Sequence, residues 1–189
     1  MTAPGEMTAL GEMTAFEWRL ARRISLAEVR MVAAEVSGVP ERLEVLWRLA
    51  GSVDRRVSVN ALWTMTHLPA ADAAWLMSIR DGLTDMLLAE TDTSRRRILL
   101  QLLRDQEYRP DGIRTDLLDF CMSKINSECE PYAVRFFSIY LAYKMCRHFP
   151  ELLAELSQYL DMLQLQRLSP GLKSALRQTR RKIKASPRR

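Results

Sequence analysis

Pro69, Pro110 and Pro150 fall at nearly equal intervals through the middle of this 189-residue chain, 41 and then 40 residues apart. Each closes a similar phrase: His67-Leu68-Pro69, Tyr108-Arg109-Pro110 and His148-Phe149-Pro150. A basic residue leading into mostly apolar neighbours recurs upstream, at Arg56, Arg97, Arg135 and Lys173, with separations of 41, 38 and 38 residues. A period near 40 in a chain with helical apolar stripes means stacked two-helix units, each needing its neighbour to bury its apolar face. Such a stack points to binding along a surface rather than to chemistry in a cleft.

The length suits four to five such repeats, and an apolar content of 48% is ample for their core. Seven glycines and eight prolines punctuate the chain sparingly, and no run alternates as a strand would. The formal charge is +5, yet residues 177–189 hold seven cations and no acid, leaving −2 for the rest. The basic character is therefore local: Arg177, Arg180, Arg181, Lys182 and Lys184, then Arg188 and Arg189. This weakens a general polyanion-binding role for the body.

Cys121, Cys129 and Cys146 lack paired spacing, so neither a disulfide framework nor a zinc site is expected, and the first and last read as small buried hydrophobes. No metal and no cofactor is expected. No apolar run is long enough to span a bilayer, and no basic segment leads into an apolar one at the N-terminus. A cytoplasmic location is the expectation.

Residues 1–13 repeat a hexapeptide, Met1-Thr2-Ala3-Pro4-Gly5-Glu6 and its copies, read as a mobile leader or else a docking tag. A single helical domain is expected over 14–184, followed by a flexible basic tail at 185–189. Thr14 with Glu17, and Ser25 with Glu28, have capping-box spacing, predicting helices over 14–24 and 26–37, the second ended by Gly38. Leu26, Val29, Val32, Ala33 and Val36 form its apolar face. Further helices are predicted over 41–50, 53–67, 69–90, from Asp92 or Thr93 onward, and over 113–126, 131–148 and 150–166. Ser169-Pro170 starts the last.

The organisation resembles the HEAT and armadillo-like α-solenoids. The residues carrying the resemblance are the proline-led first helices (Pro69, Pro110, Pro150) and an acid followed by arginine at the start of the second, Asp92 to Arg97 and Glu130 to Arg135. The spacing departs from this pattern at Asp54 and Arg56, and at Ser169 and Lys173. The resemblance covers roughly 40–184. It implies an all-α, right-handed α-solenoid of four to five antiparallel hairpins, with an Asp–Arg ladder between repeats and a scaffold or recognition role.

On that reading, Arg56, Arg97, Arg135 and Lys173 bridge adjacent repeats, or else present a row of cations. His67, Tyr108 and His148 meet carbonyls at the ends of the second helices, or read a partner. Trp18, Trp47, Trp63 and Trp75 are packing residues or stacking platforms. If the second helices line a concave face, the expected partner surface is Asn60, Trp63 and His67 with Gln101, Arg104 and Tyr108. The function expected is a non-enzymatic protein-interaction module. The alternative is a nucleic-acid-associated protein drawing on the basic segment, with a DNA glycosylase as its only enzymatic form. Neither a phosphate-binding glycine loop nor a nucleophile elbow is present in the sequence.

Overall fold

Helix α1, residues 15–20, opens the part of the chain that the computed structural model describes, residues 15–185. The leader 1–13, Thr14 and the last four positions of the expected tail lie outside the described residues. Two compact units follow one another, one ending at Ile79 and one starting at Arg80. The described residues are helical, with no strand among them.

In the first unit α1 stops at residue 20, four short of expectation, with Phe16 and Leu20 buried. Helix α2, Leu26–Val36, begins with the capping box: Ser25 Oγ accepts from the Glu28 N–H at 3.2 Å, and the Glu28 carboxylate accepts from the Ser25 N–H at 2.8 Å. Val29, Val32, Ala33 and Val36 are buried as the stripe requires, but Leu26 is exposed. Gly38 ends α2 in the left-handed region, φ +72°, where a Cβ would cost roughly 1–2 kcal/mol. Its N–H donates to the buried Asp72 carboxylate at 3.0 Å.

Helix α3, Pro40–Ala50, has proline in its first turn, where a missing N–H costs nothing. Helix α4, Arg55–Met65, is capped by Asp54, whose carboxylate accepts from the Arg56 and Val57 N–H groups. These two helices form a hairpin, and α2 packs on both.

The stretch expected as one helix from Pro69 to Glu90 is in three pieces. A 3-10 turn at Ala70–Asp72 leads into α5, Ala73–Ser78, and α6, Arg80–Ala89, begins the second unit. Ile79 (φ −94°, ψ 7°) makes the break, and the Ser78 hydroxyl donates back to the Trp75 carbonyl at 2.7 Å. Apolar periodicity does not register such a break, because one off-helix residue shifts the stripe by only a fraction of a turn.

The second unit continues with α7, Thr93–Arg104, capped by Asp92, then a 3-10 turn at Pro110–Gly112 and α8, Thr115–Ile125. Helices α9, Tyr132–Cys146, α10, Pro150–Gln164, and α11, Pro170–Ala185, complete it. Three hairpins result: α6 on α7, α8 on α9 and α10 on α11. The first helices stack as α6, α8 and α10, the second as α7, α9 and α11.

Side chains at the starts of the second helices tie these repeats together, one position away from the expected ladder on α7. There Arg96, not Arg97, donates to both Glu130 oxygens, at 2.7 and 3.0 Å, and to the Glu90 carbonyl at 2.8 Å. On α9 the expected Arg135 is used. It is 2% exposed, its Nε donates to the Ile125 carbonyl at 3.0 Å, and an Nη donates to the Gln166 carboxamide. Gln166 in turn donates to the Asn126 carbonyl at 3.0 Å. Arg56, Arg97 and Lys173 are exposed, so the four basic positions do not form one structural column.

Candidate interaction surface

Helix α9 is the centre of the second unit, packed by α7, α8, α10 and α11. That packing buries Val134, Phe137, Ile139, Leu141, Ala142, Met145 and Cys146. One stripe remains half-open. Phe136, Tyr140 and Tyr143 recur at i, i+4 and i+7 and so share a face. With Arg104 and Asp105 at the end of α7 and Gln178 and Lys182 on α11, they line a groove of about 490 Å³. Lys144, near the end of α9, and Arg147, its C-cap, also line it.

The floor of this groove is aromatic. Phe136 meets Phe137 and Tyr140 edge-on, at centroid distances of 5.3 and 5.0 Å, the arrangement that ring quadrupoles favour. The Tyr140 hydroxyl donates to the Gln178 carboxamide oxygen at 3.0 Å, and burial pushes its pKa up. The rim is cationic. Lys182 Nζ sits 5.8 Å from the Tyr140 ring and 5.6 Å from the Tyr143 ring, and the Arg104 guanidinium lies 4.9 Å over Phe137.

Local pairs hold the rim in place. Lys144 donates to the Gln106 carbonyl at 2.7 Å, and Arg147 to the Glu107 carboxylate at 3.1 Å. Lys144 foremost, then Arg147, holds the Glu107 carboxyl below its usual range against a smaller opposing effect of burial. Arg104 is paired with Asp105 at 2.6 Å. The arrangement offers flat apolar area ringed by cations, suited to a partner's apolar or aromatic side chain with a carboxylate beside it.

Of the six residues expected to face a partner, Arg104 is in this groove. Gln101 is half-buried on α7 and does not line it. Tyr108 is a correction: it is 2% exposed, its hydroxyl donates to the Leu103 carbonyl at 3.1 Å, and the Arg80 guanidinium covers its ring at 5.4 Å. Burial pushes its phenol well above the usual tyrosine range. Asn60 is also buried, its amide donating to the Leu20 carbonyl at 2.7 Å and the Arg22 carbonyl at 3.0 Å. The loop between α1 and α2 has taken the place of a ligand there.

Trp63 and His67 are half-buried and edge-on to each other at 6.0 Å, with His67 Nδ1 3.0 Å from the Trp63 carbonyl. His148 Nε2 lies 2.9 Å from the Tyr108 carbonyl, in the loop after α7, so of the two imidazoles His67 is the one that meets a helix-end carbonyl. Trp18 departs from the packing expectation: it is 70% exposed, with the Arg22 guanidinium 5.5 Å above it.

The concentration of cations before the expected tail is part of an ordered helix. Arg177, Arg180, Arg181, Lys182 and Lys184 all belong to α11, which also buries Thr179. Phe136 and Tyr140, on the helix expected over 131–148, open onto the groove. A sequence signal for Lys144 existed: like Arg104, it stands six residues before its proline.

A family model for the HEAT repeat domain matches residues 16–183, running through both units. The chain belongs to the HEAT-repeat family. No curated protein and no solved structure matches it. HEAT repeats in general mediate protein interactions, and here a stack of second helices, α7, α9 and α11, carries the groove. Among the described residues of this HEAT-repeat chain no cluster of histidine, cysteine or acid could hold a metal, and no helix is long and apolar enough to cross a membrane.

Proposed function

We propose that this HEAT-repeat chain is a non-enzymatic protein-interaction module that seats a segment of a partner protein in the groove of α7, α9 and α11. The observation that carries the reading is the half-open stripe Phe136, Tyr140 and Tyr143 beneath Arg104, Lys144, Arg147 and Lys182. Aromatic and arginine anchors supply most of the energy at protein interfaces, because they bury large area at little conformational cost. The helices beneath are held by Arg135 and Arg96, so the surface is presented without reorganisation.

Peptides selected from a displayed random library test this. Those that bind are expected to carry an apolar or aromatic residue near an acid. Tyr140→Ala with Tyr143→Ala is expected to weaken them about tenfold or more, and Arg104→Glu similarly. Binding that survives all three changes, or a library that yields no binder, removes the reading.

The nucleic-acid alternative predicts oligonucleotide binding that weakens steeply with salt. Removing residues 177–189 would be a poor test, because that cut deletes Thr179 from the core and half of α11. Charge reversal at exposed cations is cleaner. The acid beside aromatics that a glycosylase would use is Asp105, which is 58% exposed and paired with Arg104. Base release lost in Asp105→Asn would establish that activity.

A further inference from the structure

Helix α11 has a second face, turned away from the aromatic groove. Lys173, Arg177, Arg181 and Lys184 recur along it at i, i+4, i+8 and i+11, and line a separate groove of about 590 Å³. At 1.5 Å of rise per residue they span roughly 16 Å. None of the four makes an ion pair among the described residues, whereas their neighbour Arg180 is engaged by Asp161 and Gln164. Helix α11 contains no acid. The groove's apolar part is aliphatic, Leu168 and Leu176. Just before it in the chain, Met162 and Leu165 are 58% and 89% exposed.

We infer that this face of the α10–α11 hairpin is a docking site for an acidic amphipathic helix of a partner protein. Three features select that occupant. Four cations on successive turns match carboxylates on successive turns of a facing helix, since both repeat every three to four residues. Half-buried Leu168 supplies a seat for that helix's apolar stripe. No ring lines the groove, so bases would have no platform to stack on and a nucleic acid would gain only backbone charge contacts.

The test uses the full chain and a fluorescent peptide of about 18 residues, long enough to hold a helix, with leucines on one stripe and glutamates flanking it. A peptide of identical composition with the stripe scrambled, and a thymidine oligonucleotide, are the comparisons. The amphipathic peptide should bind one to one, with the scrambled peptide about tenfold weaker. Arg177→Glu with Arg181→Glu, both exposed, should weaken it about tenfold or more while leaving the helical circular dichroism unchanged. Leu168→Lys should weaken the peptide yet strengthen the oligonucleotide, because it removes the seat and adds a cation. Tyr140→Ala with Tyr143→Ala should change nothing, which separates this site from the aromatic groove. Equal binding of the scrambled peptide, a preference for the oligonucleotide, or indifference to the charge reversal would each overturn the inference.

Discussion

Helix α4 in the first unit and helix α9 in the second stand in the same place within their hairpins, yet they meet their surroundings differently. On α4, Asn60 stands where a ligand-reading face was expected, and it is buried. Asn60 is spent on the carbonyls of Leu20, at the end of α1, and Arg22, just after it, 40 and 38 residues earlier in the chain. On α9 the half-open stripe is aromatic and its rim is charged. One repeat register has thus produced an internal tie in one unit and an open groove in the other. A shared position in a repeat sets which way a side chain points. Whether solvent is still there depends on what else packs against it.

The two helices should be alike at their centres. Leu62 and Leu141 are both fully buried, so alanine at either is expected to cost about 2–5 kcal/mol in denaturant unfolding. A much smaller value at one would mean that its core collapses around the cavity, and would break the comparison at its base.

The basic register gives the sharpest contrast. Arg135→Met leaves the Ile125 carbonyl and the Gln166 carboxamide without their buried donor, and should cost about 2–3 kcal/mol. Arg56→Met, on an exposed side chain, should stay within about 0.5 kcal/mol. Equal effects would show that the difference in burial does not govern the energetics.

Alkaline pH should distinguish the units as well, because every cysteine and tyrosine of the chain lies after Arg80. Burial raises the thiol of Cys121 well above its usual range and that of Cys146 to about 12. A folded pKa above the unfolded one contributes stability that is complete below the unfolded value and is lost as pH rises through the window. Stability should therefore fall from about pH 8.5 upward, by about 1 kcal/mol per thiol near pH 9.5. Cys121→Val should flatten the slope in thermal melts at pH 7 and pH 9.5. An unchanged slope would assign the effect elsewhere.

A modest contrast is expected from the pair nine residues before their prolines. Asn60→Ala should cost about 1 kcal/mol and speed amide exchange in α1 and the following loop. Gln101→Ala, on a half-buried side chain with no bond of its own among those described, should change stability by less than about 0.5 kcal/mol.

Much of the fold was legible because it rests on local chemistry. The Ser25–Glu28 box, the Gly38 stop, the proline at the start of α3 and the start of α7 at Asp92 each act within a few residues. The Asp54 cap of α4, by contrast, fell inside the helix expected over 53–67. The broken helix at Ile79 was hidden because its stripe continues across the break. The candidate surface was less legible for a different reason. Tyr108 and Lys144 both lie near helix ends beside a conspicuous proline, but Arg80 and the Leu103 carbonyl claim the first, while the second reaches the groove.

From the sequence alone came the period near 40, the helical pairs, the caps and a concentration of cations near the end of the chain. Those follow from interactions between residues a turn or a helix apart. Only tertiary structure decided which polar and aromatic side chains remain open, why Arg96 rather than Arg97 bridges repeats, and that most of those cations sit on one ordered helix and line two separate grooves. The contacts that settle those matters join residues 31 to 40 positions apart. Their outcome turns on how two surfaces fit, which no local pattern encodes.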